Sequence, residues 1–204
     1  PRLAPLITAV GMSFVLEGVM FVWRGPFNLH YPNVLPTAGI ELGGPNGPAI
    51  AFKDLAVTGI AIVLMVGLSL FVERTKLGKA MRATAQDRDA AELMGIDINR
   101  TIAATFFIGA LLAGAGGMIF GLYYNTITFD QGFVAGLVAF TAAVFGGIGN
   151  IQGAALGGLV IGMIQSLSDG YLDTAWTQVI IFGILVLVLV FRPTGILGMR
   201  VPEK

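Results

Sequence analysis

The chain has 204 residues, of which 55% are hydrophobic and 12% charged, and its formal net charge is zero. Soluble domains place charge on about a quarter of their residues, so a mean hydropathy of +0.83 marks an integral membrane protein. Without cysteine and with one histidine, His30, the composition excludes disulfides, thiolate metal sites and histidine metal clusters.

Residues 3–23 (LAPLITAVGMSFVLEGVMFVW) form the first predicted span. Its one ionisable group, Glu17, is a functional candidate by virtue of lying in a span. It also lies within two turns of the interface marked by Trp23 and Arg24, from which it can reach headgroups or a neighbouring helix. The chain opens on Pro1 without an initiator Met or a signal-peptide pattern, and reads as a fragment lacking N-terminal sequence.

Residues 24–53 are rich in Pro, Gly and Asn, which predicts turns or a hairpin in a solvated loop or a protein-docking surface. The second span, 55–72, runs into a polar island at 73–100. This island holds Arg74, Lys76, Lys79, Arg82, Arg88 and Arg100 beside Glu73, Asp87, Asp89, Glu92 and Asp97. The third span, 101–124, ends in Tyr123–Tyr124 and carries Gly109, Ala113, Gly117 and Gly121 every four residues, a ridge that admits another helix closely.

A loop with Asp130 leads to a fourth span at 133–148 (ridge Ala135, Ala139, Ala143, Gly147) and a fifth at 153–168 (ridge Ala154, Gly158, Gly162, Ser166). Both are near the lower length limit, so they read either as packed helices or as a re-entrant pair. A Leu- and Val-rich span at 175–191 ends at Arg192–Pro193. The predicted fold is all-α, a polytopic transmembrane helical bundle of about six spans in one domain over 1–204. With the island inside, ten of the twelve Lys and Arg lie on the cytoplasmic side and only Arg24 and Lys53 outside, which places the island and the C-terminus in the cytoplasm.

Within the island, KAMRATAQDRDAAELM (79–94) contains good helix formers without Gly or Pro, and Gly95 follows where a left-handed terminating residue belongs. Asp97 or Asn99 can then cap the next span. On one helix, Ala80, Ala83, Ala90 and Met94 share a weakly apolar face suited to a groove on a partner. The plainer reading is a surface helix satisfied by its own ion pairs.

Two nucleotide-like patterns fail. Gly78-Lys79 is followed by Ala80 instead of Ser or Thr, and Glu73 stands where the earlier P-loop glycine belongs. Gly146-Gly147-Ile148-Gly149 meets Gln152 where a dinucleotide fingerprint needs glycine. The cluster FGGIGNIQG (145–153) reads as a tight turn between close-packed helices or, with Thr141, Gly146, Gly147 and Gly149, as the lining of a pathway.

Asp89-Ala90-Ala91, three residues and then Gly95 resemble the EAA-type cytoplasmic motif of ABC-importer permeases, with Asp in place of Glu and without the Ile-x-Leu-Pro tail. GKAMRATAQDRDAAELMGID, GLVAFTAAVFGGIGNIQGAALGG (136–158) and FRPTGILG (191–198), in this order, resemble the branched-chain amino acid ABC transporter permease family over essentially the whole chain. The resemblance implies an inner-membrane subunit that works with two ATP-binding cassette subunits, a second permease and a periplasmic substrate-binding protein, and it implies no nucleic-acid partner. ATP and Mg belong to the partner subunits, and this chain carries no cofactor and no catalytic residue. The ATPase-docking element is then Arg82, Arg88, Asp89, Ala90, Ala91, Glu92 and Gly95. Gly109, Ala113, Gly117, Gly121, Gly158 and Gly162 are the helix-packing candidates. Alternatives are an ion-coupled secondary transporter centred on Glu17, or a permease of the same family for urea or another small polar solute. A channel would need no coupling helix, and an enzyme would lack its nucleophile–base pair.

Overall fold

A computed structural model of the chain describes residues 4–32, 39–41, 49–172, 174–192 and 194–198. Apolar runs without charge become helices because the backbone must satisfy its own hydrogen bonds in hydrocarbon. In chain order the elements are α1 (Ala4–Arg24), β1 (Leu29–His30), β2 (Gly39–Glu41), β3 (Ala49–Ala51), α2 (Phe52–Arg74), α3 (Lys76–Gln86), α4 (Arg88–Leu93), α5 (Ile98–Tyr124), β4 (Thr126–Ile127), α6 (Gln131–Gly146), α7 (Ile151–Tyr171) and α8 (Thr174–Phe191).

Six apolar helices thus stand where spans are expected. Among the described residues four of them, α2, α5, α7 and α8, are both long and apolar enough to cross a bilayer, and α6 is shorter. The expectation that 153–168 is near the lower limit is corrected: α7 has 21 residues, about 31 Å of helix. At 16 residues, α6 covers about 24 Å, short of a hydrocarbon core of about 30 Å.

The chain divides into two compact units, one of Pro1–Val57 and Ala115–Leu137, the other of Thr58–Gly114 and Val138–Lys204. In the first, the expected hairpin is found: β2 and β3 pair antiparallel, Gly39 opposite Ala51 and Glu41 opposite Ala49. β1 pairs with β4, Leu29 opposite Ile127, and the Tyr31 N–H donates to the Asn125 carbonyl at 2.9 Å. Phe14 meets Phe133 at 5.0 Å and Phe21 meets Phe129 at 5.2 Å between ring centroids. His30 is exposed on β1. Glu17 is half-buried on α1, and its Oε2 has no hydrogen-bond partner among the described residues.

In the second unit, Ala142, Ile161 and Ile181 form a small core backed by Val138 and Ile184. α7 and α8 form a hairpin. At its closed end the Thr177 hydroxyl donates to the Asp169 carboxylate at 2.5 Å and lies 2.9 Å from Ser168 Oγ.

Candidate functional site

The polar island folds as two short helices instead of the single helix expected over 79–94. At its start Thr75 caps α3, donating to the Phe71 carbonyl (2.7 Å) and accepting from the Gly78 N–H (3.0 Å). Gly78 lies so close to the backbone of Val72 that a Cβ there would overlap it, so this glycine serves a tight corner. Arg82 reaches back and donates to the Glu73 carbonyl at 3.3 Å.

The break falls at Asp87, whose extended backbone (φ −152°) ends α3 and whose carboxylate accepts from the Asp89 and Ala90 N–H groups to begin α4. An Asp within an alanine-rich run competes for its own backbone and favours caps over helix interiors, and that was the available signal. α4 then closes with paired bonds, the Ile96 N–H to the Ala91 carbonyl (3.1 Å) and the Gly95 N–H to the Glu92 carbonyl (2.9 Å). Gly95 has φ +82°, the left-handed terminator predicted from sequence. Asp97 caps α5 through the Arg100 N–H at 3.1 Å.

Splitting the helix also splits the expected face. Ala80 and Ala83 on α3 are half-buried, whereas Ala90 and Met94 are exposed. Of the predicted docking residues, Arg82, Arg88, Asp89, Ala90, Glu92 and Gly95 are exposed. Ala91, at 3% exposure, packs inside the module and presents nothing to a partner. Leu93 and Met94, at 89% and 83%, are the apolar side chains turned outward. Sequence reasoning missed Leu93 because a continuous helix placed it off the alanine face.

The glycine cluster forms the second feature. A Cβ on Gly146 would overlap the Gly153 carbonyl, and one on Gly157 would overlap the Ala142 carbonyl, so α6 and α7 meet backbone to backbone. The segment after α8 closes the junction. The Ile196 and Leu197 N–H groups donate to the Phe145 and Gly146 carbonyls at 3.0 and 2.9 Å, the terminal carbonyls of α6. Asn150 caps α7 through its Gln152 and Gly153 N–H groups, and its own amide donates to the Leu197 carbonyl at 3.1 Å. GGIGNIQG and TGILG, distant in sequence, are thus one structure.

Thr141, expected on a pathway, is 0% exposed and lies in the packed interior of this unit. Gly146 is buried in the junction, while Gly147 and Gly149 line a cleft. Gly117, Gly158 and Gly162 face open space, Gly109 lines the same cleft, and Ala113 is exposed. The close α6–α7 approach uses Gly153 and Gly157, one position before the predicted ridge. Gly121 is buried, but against Ile127 and Tyr31 instead of a helix.

The cleft has a volume of about 840 Å³ and lies between α2, α3, α5, α6 and the 147–151 turn. Its walls are apolar, and Arg82, Thr84, Arg88 and Thr101 stand at the island end. Among the described residues no cluster of His, Asp or Glu could hold a metal.

Residues 1–189 match the family described as branched-chain amino acid transport system / permease component. The chain belongs to that family. It is 42% identical over 205 residues to the high-affinity branched-chain amino acid transport system permease protein BraD of Pseudomonas aeruginosa, covering 100% of this chain and 66% of the relative. It is 41% identical over 204 residues to the corresponding permease LivH of Escherichia coli K12, with the same coverage of both chains. The fructose import permease FruG of Bifidobacterium longum is 29% identical over 152 residues, 71% of this chain and 44% of the relative. The chain therefore spans just under two thirds of the length of the first two relatives. No solved structure shows a significant match.

Proposed function

We propose that the chain belongs to the permease subunit of an ABC importer that moves branched-chain amino acids across the bacterial inner membrane, driven by ATP hydrolysis on separate subunits. The observation that carries this reading is the α3–α4 module. It is a folded, capped unit in the polar loop that turns Leu93 and Met94 outward. Two adjacent large apolar residues, almost fully exposed and flanked by Asp89 and Glu92, have the character of an interface core with a charged rim. The charge bias of the loops supports placing this module and the C-terminus in the cytoplasm, where the ATP-binding subunits are.

The branched-chain specificity is supported by 42% and 41% identity to permeases named for that substrate, against 29% to one named for fructose. A second permease would meet the open ridges at Ala113 and Gly117 or at Gly158 and Gly162, where small side chains allow close approach. A periplasmic binding protein would deliver substrate from the other face. Transport would follow alternating access: nucleotide-driven closure of the ATPases moves α3–α4 as a lever, and hydrolysis resets it. This subunit performs no covalent chemistry.

The test is co-purification of the full-length protein with its neighbouring gene products. Leu93→Glu with Met94→Glu is expected to release the ATPase subunit while membrane insertion and yield stay unchanged. Retention of the ATPase by this variant sinks the docking assignment. Substrate is read separately, from ATP hydrolysis in proteoliposomes: leucine with the binding protein is expected to stimulate it, and fructose or urea is not.

A further inference from the structure

The cleft in the second unit has a chemistry that the transport reading does not use. One end is basic: Arg82 and Arg88 line it, both exposed, and no Asp or Glu is among its lining residues. Arg82 spends one N–H on the Glu73 carbonyl, which leaves further guanidinium donors at this end for an anion. Thr84 lines the same end, is only 7% exposed, and its Oγ1 has no hydrogen-bond partner. A buried hydroxyl left unpaired is costly unless something supplies the missing acceptor.

The rest of the lining is mainly hydrocarbon. Leu68 and Phe71 of α2, Ile108 and Leu112 of α5 and Phe140 of α6 form the walls, all from predicted membrane spans. From Thr101 to Leu112 the cleft follows α5 for about 16 Å, which is the reach of much of one acyl chain. A zwitterionic amino acid fits this lining poorly, because its ammonium group would find no carboxylate there.

We propose that this cleft binds one anionic glycerophospholipid from the cytoplasmic leaflet. Its phosphate is held by Arg82 and Arg88 with the Thr84 hydroxyl beside them, and one acyl chain lies along α5 towards Leu112. Basic pockets between spans on the cytoplasmic side are suited to anionic headgroups, and a guanidinium binds phosphate by paired hydrogen bonds. Arg82 and Arg88 then anchor the lever to the leaflet, which separates them from the exposed tip at Leu93 and Met94.

The experiment uses the intact complex, delipidated and reconstituted in nanodiscs of equal parts phosphatidylglycerol and phosphatidylcholine, with retained lipid measured by native mass spectrometry. Wild type is expected to retain phosphatidylglycerol in preference to phosphatidylcholine. Arg82→Gln with Arg88→Gln should lower that retention about tenfold or more while the ATPase subunit stays bound. Thr84→Val should weaken it by a smaller factor without loss of folded protein, since a role confined to packing would leave retention unmoved. Equal retention of the two lipids, or undiminished phosphatidylglycerol in the double arginine variant, overturns the proposal. Loss of the ATPase from that variant with lipid retention intact also overturns it and assigns the arginines to docking.

Discussion

The glycine junction and the α3–α4 module are both irregular breaks between apolar helices, and they end in opposite states. At the junction each exposed helix end is answered from within the chain. The carbonyls of Phe145 and Gly146 are taken by Ile196 and Leu197, and the first N–H groups of α7 are taken by Asn150. In the module the backbone is equally well capped, but the side chains are not: Leu93 and Met94 stay in the open. A closed surface of the first kind stabilises the fold, and an open one of the second kind is material for a partner. Irregular backbone alone therefore does not mark a functional site, and the destination of the side chains does.

The largest effect that would test this contrast is at the junction. Gly157→Leu should destabilise the protein by about 3 kcal/mol through overpacking, read as lost folded yield and a lowered Tm in detergent. Gly158→Leu, one residue on and facing open space, should leave folding intact. If Gly158→Leu is as damaging to the isolated chain, the α6–α7 packing face is misassigned. Should it spare folding but separate two permeases, the ridge is an intersubunit surface.

Asn150→Ala comes next, removing the cap of α7 and the bond to the Leu197 carbonyl. The expected loss is about 2 kcal/mol, measured by thermal unfolding. A neutral result would mean that the 195–198 segment is held by its backbone bonds alone.

Much of this was legible in the sequence because hydrocarbon imposes strict local rules. Apolar runs gave six helices, Gly95 gave the end of α4, and Asp97 gave the start of α5. What escaped depended on geometry that composition does not carry. Small residues at every fourth position specify a face on which helices can meet, and α7 has two such faces, Gly153–Gly157 and Ala154–Gly158–Gly162. The chain uses the first, since Gly146 and Ala142 lie opposite it. Thr141 lies on the buried face of α6, and sequence alone does not tell inward from outward on a short helix. The pairing of residues 145–150 with 195–198 was invisible for another reason, the long separation between the two segments.

A smaller effect sharpens the module side of the contrast. Gly95→Ala forces an L side chain into a left-handed backbone and should cost about 1–2 kcal/mol. The loss should be confined to α4, seen as faster amide exchange over 88–96 with the junction unchanged. Leu93→Ser should leave that exchange pattern as in wild type, because its side chain supports no packing within the chain. Accelerated exchange in Leu93→Ser would show the tip to be structural and would remove the basis for calling it open.

The smallest effect separates two roles of one carboxylate. Asp97 accepts the Arg100 N–H and also pairs with the Arg100 guanidinium at 3.1 Å, with that side chain 90% exposed. An ion pair so well hydrated contributes little, whereas a cap satisfies a backbone donor that otherwise faces the start of a span. Asp97→Ala should therefore cost about 1 kcal/mol, and Arg100→Ala should leave Tm unchanged within error. Equal losses from the two would mean that the pair, not the cap, fixes where the module hands over to α5. The lever would then become sensitive to salt, a dependence that a backbone cap does not produce.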